Sequence, residues 1–188
     1  MRGLTRISCV VIFALVLASC ATTLESIPAH YAMQPGEESV VIGRVAIDLS
    51  GSSIKPIGFF DRLNKILISA KNTTTDKDFE IVCDQGGSDS NFYVALPPGE
   101  YRITKVRKAQ LESTPPGRFT VGKGQIIYIG SIKFVGRGLG AGIVASLMAG
   151  RTSFPGDWLV GDEYLDVVRS FREKYPGLGN EVVKSLME

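Results

Sequence analysis

From Val40 onward, apolar and polar residues alternate in short runs separated by turn residues. Val40–Leu49 places Val41, Gly43, Val45 and Ile47 on one face, and Arg62–Asn72 sets Leu63, Lys65, Leu67 and Ser69 against Ile66 and Ile68. Phe79–Cys83, Asn91–Leu96, Glu100–Val106, Arg118–Val121 and Gln125–Val135 repeat the pattern, with Pro97-Pro98-Gly99 and Gly122-Lys123-Gly124 among the breaks. Strands this short, with turn signals about every 8–12 residues, predict a mainly β domain. The expected form is a two-sheet antiparallel β-sandwich whose apolar faces cover each other. Asp157–Val160 predicts a last strand. The period then lengthens from two to 3.6: Tyr164, Val168, Phe171 and Tyr175 form one stripe of a predicted C-terminal amphipathic helix, Glu163–Tyr175. Asp162 is its expected N-cap, and Pro176-Gly177 ends it. Asn180 is positioned to cap a second short helix carrying Val182, Val183 and Leu186.

The first residues follow another logic. Met1–Arg6 is basic and Ile7–Ala18 is an apolar run of twelve residues, the layout of a secretory signal. As a helix that run would span about 18 Å, short of a hydrocarbon core about 30 Å thick. Leu17-Ala18-Ser19-Cys20 resembles the lipobox of bacterial lipoproteins. The resemblance implies removal of residues 1–19 and acylation of Cys20, whose acyl chains would hold the protein to a membrane. An ordinary signal cleaved after Ser19 would use the same small residues. Ala21 stands where an Asp would resemble an inner-membrane retention signal, so the expected location is the outer membrane facing the periplasm, or the cell-membrane surface in a bacterium with one membrane. Losing Arg2 and Arg6 takes the 21 basic residues to 19, equal to the 19 acidic ones. A neutral mature chain argues against nucleic acid as a partner. The layout is then a signal peptide at 1–19, a lipidated tether at 20–37, a β domain at 38–160 and a helical segment at 161–188.

Gly43–Asp48, Asn91–Leu96, the step Pro97-Pro98-Gly99 into Tyr101-Arg102-Ile103, and the strand after Gly122-Lys123-Gly124 resemble transthyretin-like, carboxypeptidase-regulatory-type β-sandwiches. The resemblance spans about residues 40–135 and implies that fold. One branch of the family, the hydroxyisourate hydrolases, implies a site of several histidines and an arginine with a C-terminal Tyr-Arg-Gly-Ser. The sole histidine here, His30, lies in the tether and the chain ends Leu186-Met187-Glu188, so that activity does not carry over.

Candidate chemistry is sparse. Gly136-Arg137-Gly138-Leu139-Gly140-Ala141 fits G-x-G-x-x-A, but a dinucleotide site needs a parallel βαβ unit that the pattern does not predict. The Gly-rich loop 136–150 has two readings. It is a buried connection, favoured because long exposed apolar loops are uncommon, or a contact loop using Arg137, Leu139, Ile143, Leu147 and Arg151. Core packing is the expected role of Trp158, and the alternative is an aromatic platform for a glycan in which Tyr93 and Tyr101, read as surface aromatics, join it. Asp84 and Asp89 bracket a turn without EF-hand spacing, and no Cys/His cluster is present, so no metal or other cofactor is expected. Cys83 is expected as a buried thiol on a strand face. No Ser occupies a Gly-x-Ser-x-Gly elbow. The sequence thus predicts a non-enzymatic lipoprotein, an interaction or structural module for an envelope protein partner. The alternatives are glycan or peptidoglycan binding and, more remotely, a hydrolase with an unrecognised site.

Overall fold

The computed structural model describes residues 21–33, 37–48, 65–83, 89–108, 111–136 and 156–188. The predicted signal peptide, Cys20 and the candidate contact-loop residues Arg137, Leu139, Ile143, Leu147 and Arg151 lie outside these. The described elements are β1 (Thr22–Leu24), β2 (Ser39–Asp48), β3 (Ile66–Asn72), β4 (Asp78–Val82), β5 (Asp89–Leu96), β6 (Gly99–Lys108), β7 (Leu111–Ser113), β8 (Arg118–Val121), β9 (Ile126–Gly136), β10 (Gly156–Gly161), α1 (Tyr164–Lys174) and β11 (Val182–Lys184).

The fold is mainly β, in two sheets. One runs β1-β4-β3-β6-β7, with β8 also on β6; the other runs β10-β9-β2-β5, with β11 also on β9. Both are mixed, which corrects the expectation of antiparallel sheets: β1/β4, β2/β9 and β11/β9 are parallel pairs. Alternation in a sequence reports which face a side chain takes, not which way the neighbouring strand runs, so the parallel centre left no mark on the pattern.

The facing sides of the two sheets pack into one core. Val41, Val45 and Ile47 of β2, Phe92 and Val94 of β5, and Ile127, Ile129, Ile132 and Phe134 of β9 meet Ile66, Ile68, Phe79, Ile81, Ile103 and Val106 of the first sheet. Cys83 is buried there too. A second cluster lies on the other side of the β2/β9 sheet, where Val40, Ile42, Tyr93, Ile126 and Tyr128 face Val167 and Phe171 of α1. The centre of that sheet is covered twice, so Val40 to Ile42 are all buried. The first sheet has only one covered face; β3 alternates cleanly, whereas β6 breaks the alternation at Thr104-Lys105, where its register on β3 shifts.

One irregularity joins the two cores. Between Ile42↔Tyr128 and Arg44↔Ser131, β2 offers only Gly43 where β9 has both Ile129 and Gly130. This bulge shifts the inward set of β9 from Ile127 and Ile129 to Ile132 and Phe134. Gly130 has φ +107°, and a Cβ on Gly43 would lie 2.4 Å from Phe92 Cζ and 2.9 Å from the Gly130 carbonyl oxygen. Both positions therefore require glycine.

Two boundary expectations are corrected. Asn180 caps no second helix: Val182–Lys184 is a strand, parallel to Ile126–Tyr128. The pairing continues through Ser185 N–H to the Tyr128 carbonyl at 2.9 Å and Met187 N–H to that of Ile129 at 2.9 Å. Glu188 then exchanges two backbone bonds with Arg118 of the other sheet. β10 covers only Ser131–Gly136, so the first half of β9 leaves an edge to be filled. A two-turn helix is marginal, whereas unpaired strand groups supply ready partners. The tether, secondly, is docked. Thr22–Leu24 pairs with Phe79–Ile81. Ile27 is 5% exposed within the helix-side cluster, its N–H donates to the Tyr93 carbonyl at 2.8 Å, and its carbonyl accepts from Tyr175 OH at 2.7 Å.

The main helix is close to its expected bounds. Asp162 sits one residue before the Glu163 N-cap, and its Oδ1 accepts from Tyr164 N–H at 3.3 Å. The buried stripe centres on Val167 and Phe171, with Tyr175 buried just past the last turn.

Candidate functional site

The solvated face of the first sheet holds the most developed surface feature. Pairing sets Asp78 beside Lys71, Lys71 beside Arg102, and Arg102 directly opposite Arg118. On this face Lys71 holds Asp76 at 2.7 Å, Lys105 holds Glu112 at 2.8 Å and Arg107 holds Glu80 at 3.2 Å. The hydrogen bond to Asp76 raises the Lys71 pKa, while the nearby Arg102 charge works against it. Arg102 and Arg118 have no carboxylate within ion-pair distance among the described residues.

Two adjoining clefts meet at these arginines. One, of about 500 Å³, is lined by Thr73, Glu100, Thr120, Ser185 and Glu188 together with both arginines. The other, of about 400 Å³, runs from the arginines along Thr104 to Thr114 and Pro115-Pro116-Gly117. The floor is rigid. Tyr101, between Glu100 and Arg102, is buried and stacks on Phe119 at a centroid distance of 5.3 Å. Its hydroxyl donates to the Pro97 carbonyl at 2.7 Å, closing the Pro-Pro-Gly turn, and burial pushes its pKa up. The exchange between Glu188 and Arg118 forms the wall where the two sheets join. The alternation of Glu100–Val106 already placed Arg102 on a polar face. Its pairing with Arg118 depends on strand register, which sequence spacing does not encode.

The aromatic platform is corrected. Tyr93 and Tyr101 are 2% and 1% exposed and have no ring face to offer a sugar. They also lie in different clusters, Tyr93 under the helix and Tyr101 between the sheets. Trp158 is half-buried against Phe134, and its Nε1 donates to Ser113 Oγ at 2.9 Å, a tie from β10 to β7 across the edges of the two sheets. The Gly-rich stretch begins at Gly136 and the chain returns at Gly156, its direct antiparallel partner. A strand followed by its antiparallel neighbour is not the frame of a dinucleotide fingerprint.

A second polar cluster lies where α1 starts. Arg44 Nη1 donates to Glu163 Oε2 at 2.9 Å, Ser131 Oγ donates to the same oxygen at 3.1 Å, and Glu163 N–H donates to Tyr128 OH at 2.7 Å. Ser131 is 4% exposed, so this network fastens the helix to β9 and gives no substrate a path to the hydroxyl. Among the described residues, no group of three or more His, Cys, Asp or Glu could hold a metal ion, and no helix is long and apolar enough to cross a membrane.

The chain matches no protein-family model and no curated protein. Among solved structures it is similar to a leucine-rich repeat protein from Bacteroides thetaiotaomicron, at 12% identity and a TM-score of 0.34. The likeness covers 74% of this chain and 16% of that one.

Proposed function

We propose that this chain is a bacterial envelope lipoprotein, acylated on Cys20 and held at the outer membrane facing the periplasm, whose domain is a non-catalytic interaction module for an envelope protein. The observation that carries the reading is the lipobox-like Leu17-Ala18-Ser19-Cys20, and the docking of the segment just after it sets how an acylated domain would sit. Only Ala21 separates that cysteine from β1, and Ile27 is locked under the helix. A docked segment gives an acylated protein a short reach. Two residues of extended chain span about 7 Å, so the domain works at the bilayer surface and not at the end of a free leash. The finer fold assignment, a transthyretin-like sandwich, belongs to the same proposal. Without the short β1, β7 and β11, the sheets reduce to β4-β3-β6-β8 and β10-β9-β2-β5, four strands each, which supports it. Burial of Tyr93 and Tyr101 counts against glycan binding through those aromatics.

Metabolic labelling with an alkyne fatty acid tests the anchor. The parent chain should take up label and fractionate with membranes, and Cys20→Ser should lose the label. Absence of label on the parent, or label that survives Cys20→Ser, would overturn the assignment. Crosslinking of the lipidated protein in cells should then trap one or two reproducible protein partners. A trapped glycan would favour the alternative.

A further inference from the structure

The outer face of the first sheet settles its charges locally except at one place. Arg102 and Arg118 are direct cross-strand partners, so their Cα atoms stand about 4.5–5.5 Å apart. Like charges placed directly opposite weaken a sheet. Both side chains are exposed and both line the two adjoining clefts. Each other base of that face named above holds a carboxylate. A repulsive pair kept at the meeting point of two clefts is the arrangement expected of a site whose counter-charge arrives with a ligand.

From this geometry we infer that Arg102 and Arg118 form a binding site for a single phosphate group. A carboxylate, with one charge and two oxygens, is satisfied by one guanidinium fork, whereas a phosphate has oxygens and charge enough for two. The hydroxyls of Thr120 and Ser185 line the same cleft and can donate further hydrogen bonds. Glu100 and Glu188 also line it, and they restrict negative charge to the one group the arginines hold. That disfavours a polyanion such as nucleic acid, in agreement with the neutral balance of the mature chain. The phosphate can belong to a lipid headgroup or to a soluble phosphorylated compound. The arginine row begins one residue from the β1 pairing, since Thr22 pairs with Phe79 and Lys71 with Asp78. If Cys20 is acylated, headgroups are therefore within lateral reach, at about 19 Å across four strand spacings from β1 to β8.

The test is calorimetric titration of the full chain, reconstituted in phosphatidylcholine vesicles, with inorganic phosphate at constant ionic strength. Saturable binding of one phosphate per chain is expected, weakened at least tenfold by Arg102→Gln or Arg118→Gln and abolished by the double variant. Repetition in vesicles containing phosphatidic acid assigns the source: lost phosphate binding identifies the headgroup as occupant, and unchanged binding identifies a soluble compound. The variants should melt at or above the parent temperature, because each removes a repulsion. Absence of saturable binding would overturn the site, as would unaltered binding by the double variant or equal heat from chloride. A lower melting temperature in either single variant would instead make the arginines structural, and the proposal would fail.

Discussion

Docking of the tether has a measurable consequence through Ile27. The side chain is 5% exposed, and Ile27→Ala removes three carbons from it. At about 0.8 kcal/mol per buried carbon the transfer loss is about 2.4 kcal/mol. With a partly relaxed cavity the cost falls in the range of about 2–4 kcal/mol. The loss should appear mainly as local release, since residues 21–33 are held to the domain by β1, Ile27 and the Tyr175 hydroxyl. A glutamate-specific protease reads it directly, because Glu25 is exposed yet lies within the docked segment. Cleavage that follows the open population should accelerate by about 30-fold to 700-fold, at 1.4 kcal/mol per decade. Tyr175→Phe, which strips the Ile27 carbonyl of its 2.7 Å donor, should give a smaller acceleration, from about 1–2 kcal/mol. The two effects should not add, because they release the same segment. Amide exchange at Val45 and Ile132, in the main core, should stay slow. Unchanged cleavage after Glu25 in Ile27→Ala would refute the docking of residues 21–33, and with it the short reach proposed for an acylated Cys20.

Other consequences follow from separate parts of the molecule. Gly43→Ala drives a Cβ into Phe92 and the Gly130 carbonyl; it should cost about 1–3 kcal/mol, lowering the melting temperature by about 2–4 °C per kcal/mol, and an unshifted melt would mean that the bulge can open. The Lys184 ammonium, hydrogen-bonded to Asp162, holds that carboxyl below the ordinary aspartate range. A depressed folded pKa gives stability that is complete above the unfolded value and is lost as pH falls through the folded one. Lys184→Met should therefore flatten the acid limb of the melting curve below the ordinary aspartate pKa; an identical limb in parent and variant would show that the pair is silent. Because Trp158 is tied to Ser113 and packed on Phe134, soluble chitin or peptidoglycan fragments should leave its fluorescence unchanged, and a saturable emission shift would restore an aromatic sugar site.

Position by position, the sequence by itself determined the faces. Val41, Val45 and Ile47, then Ile66 and Ile68, turn inward as their alternation predicts, because a strand has a period of two and one buried face fixes its phase. Ile103 and Val106, which alternation sets on opposite faces, both turn inward because the register of β6 on β3 shifts between Ser69 and Ala70. It also determined the main helix, whose period and terminal charges are local properties. It placed Arg102 on a polar face but could not supply the neighbour that makes it notable. Only the tertiary structure decided that the centre of one sheet is parallel, that Tyr93 and Tyr101 are core residues, and that the two ends of the described chain pair as strands. Each of these depends on which backbone lies alongside which, a relation between residues far apart in sequence. The open first half of β9 draws Val182–Lys184 into a sheet although their apolar spacing also suits a helix. The opposition of Arg102 and Arg118 has the same origin: register is fixed by core packing on the opposite face of the sheet, and the solvated face inherits whatever pairs that packing creates.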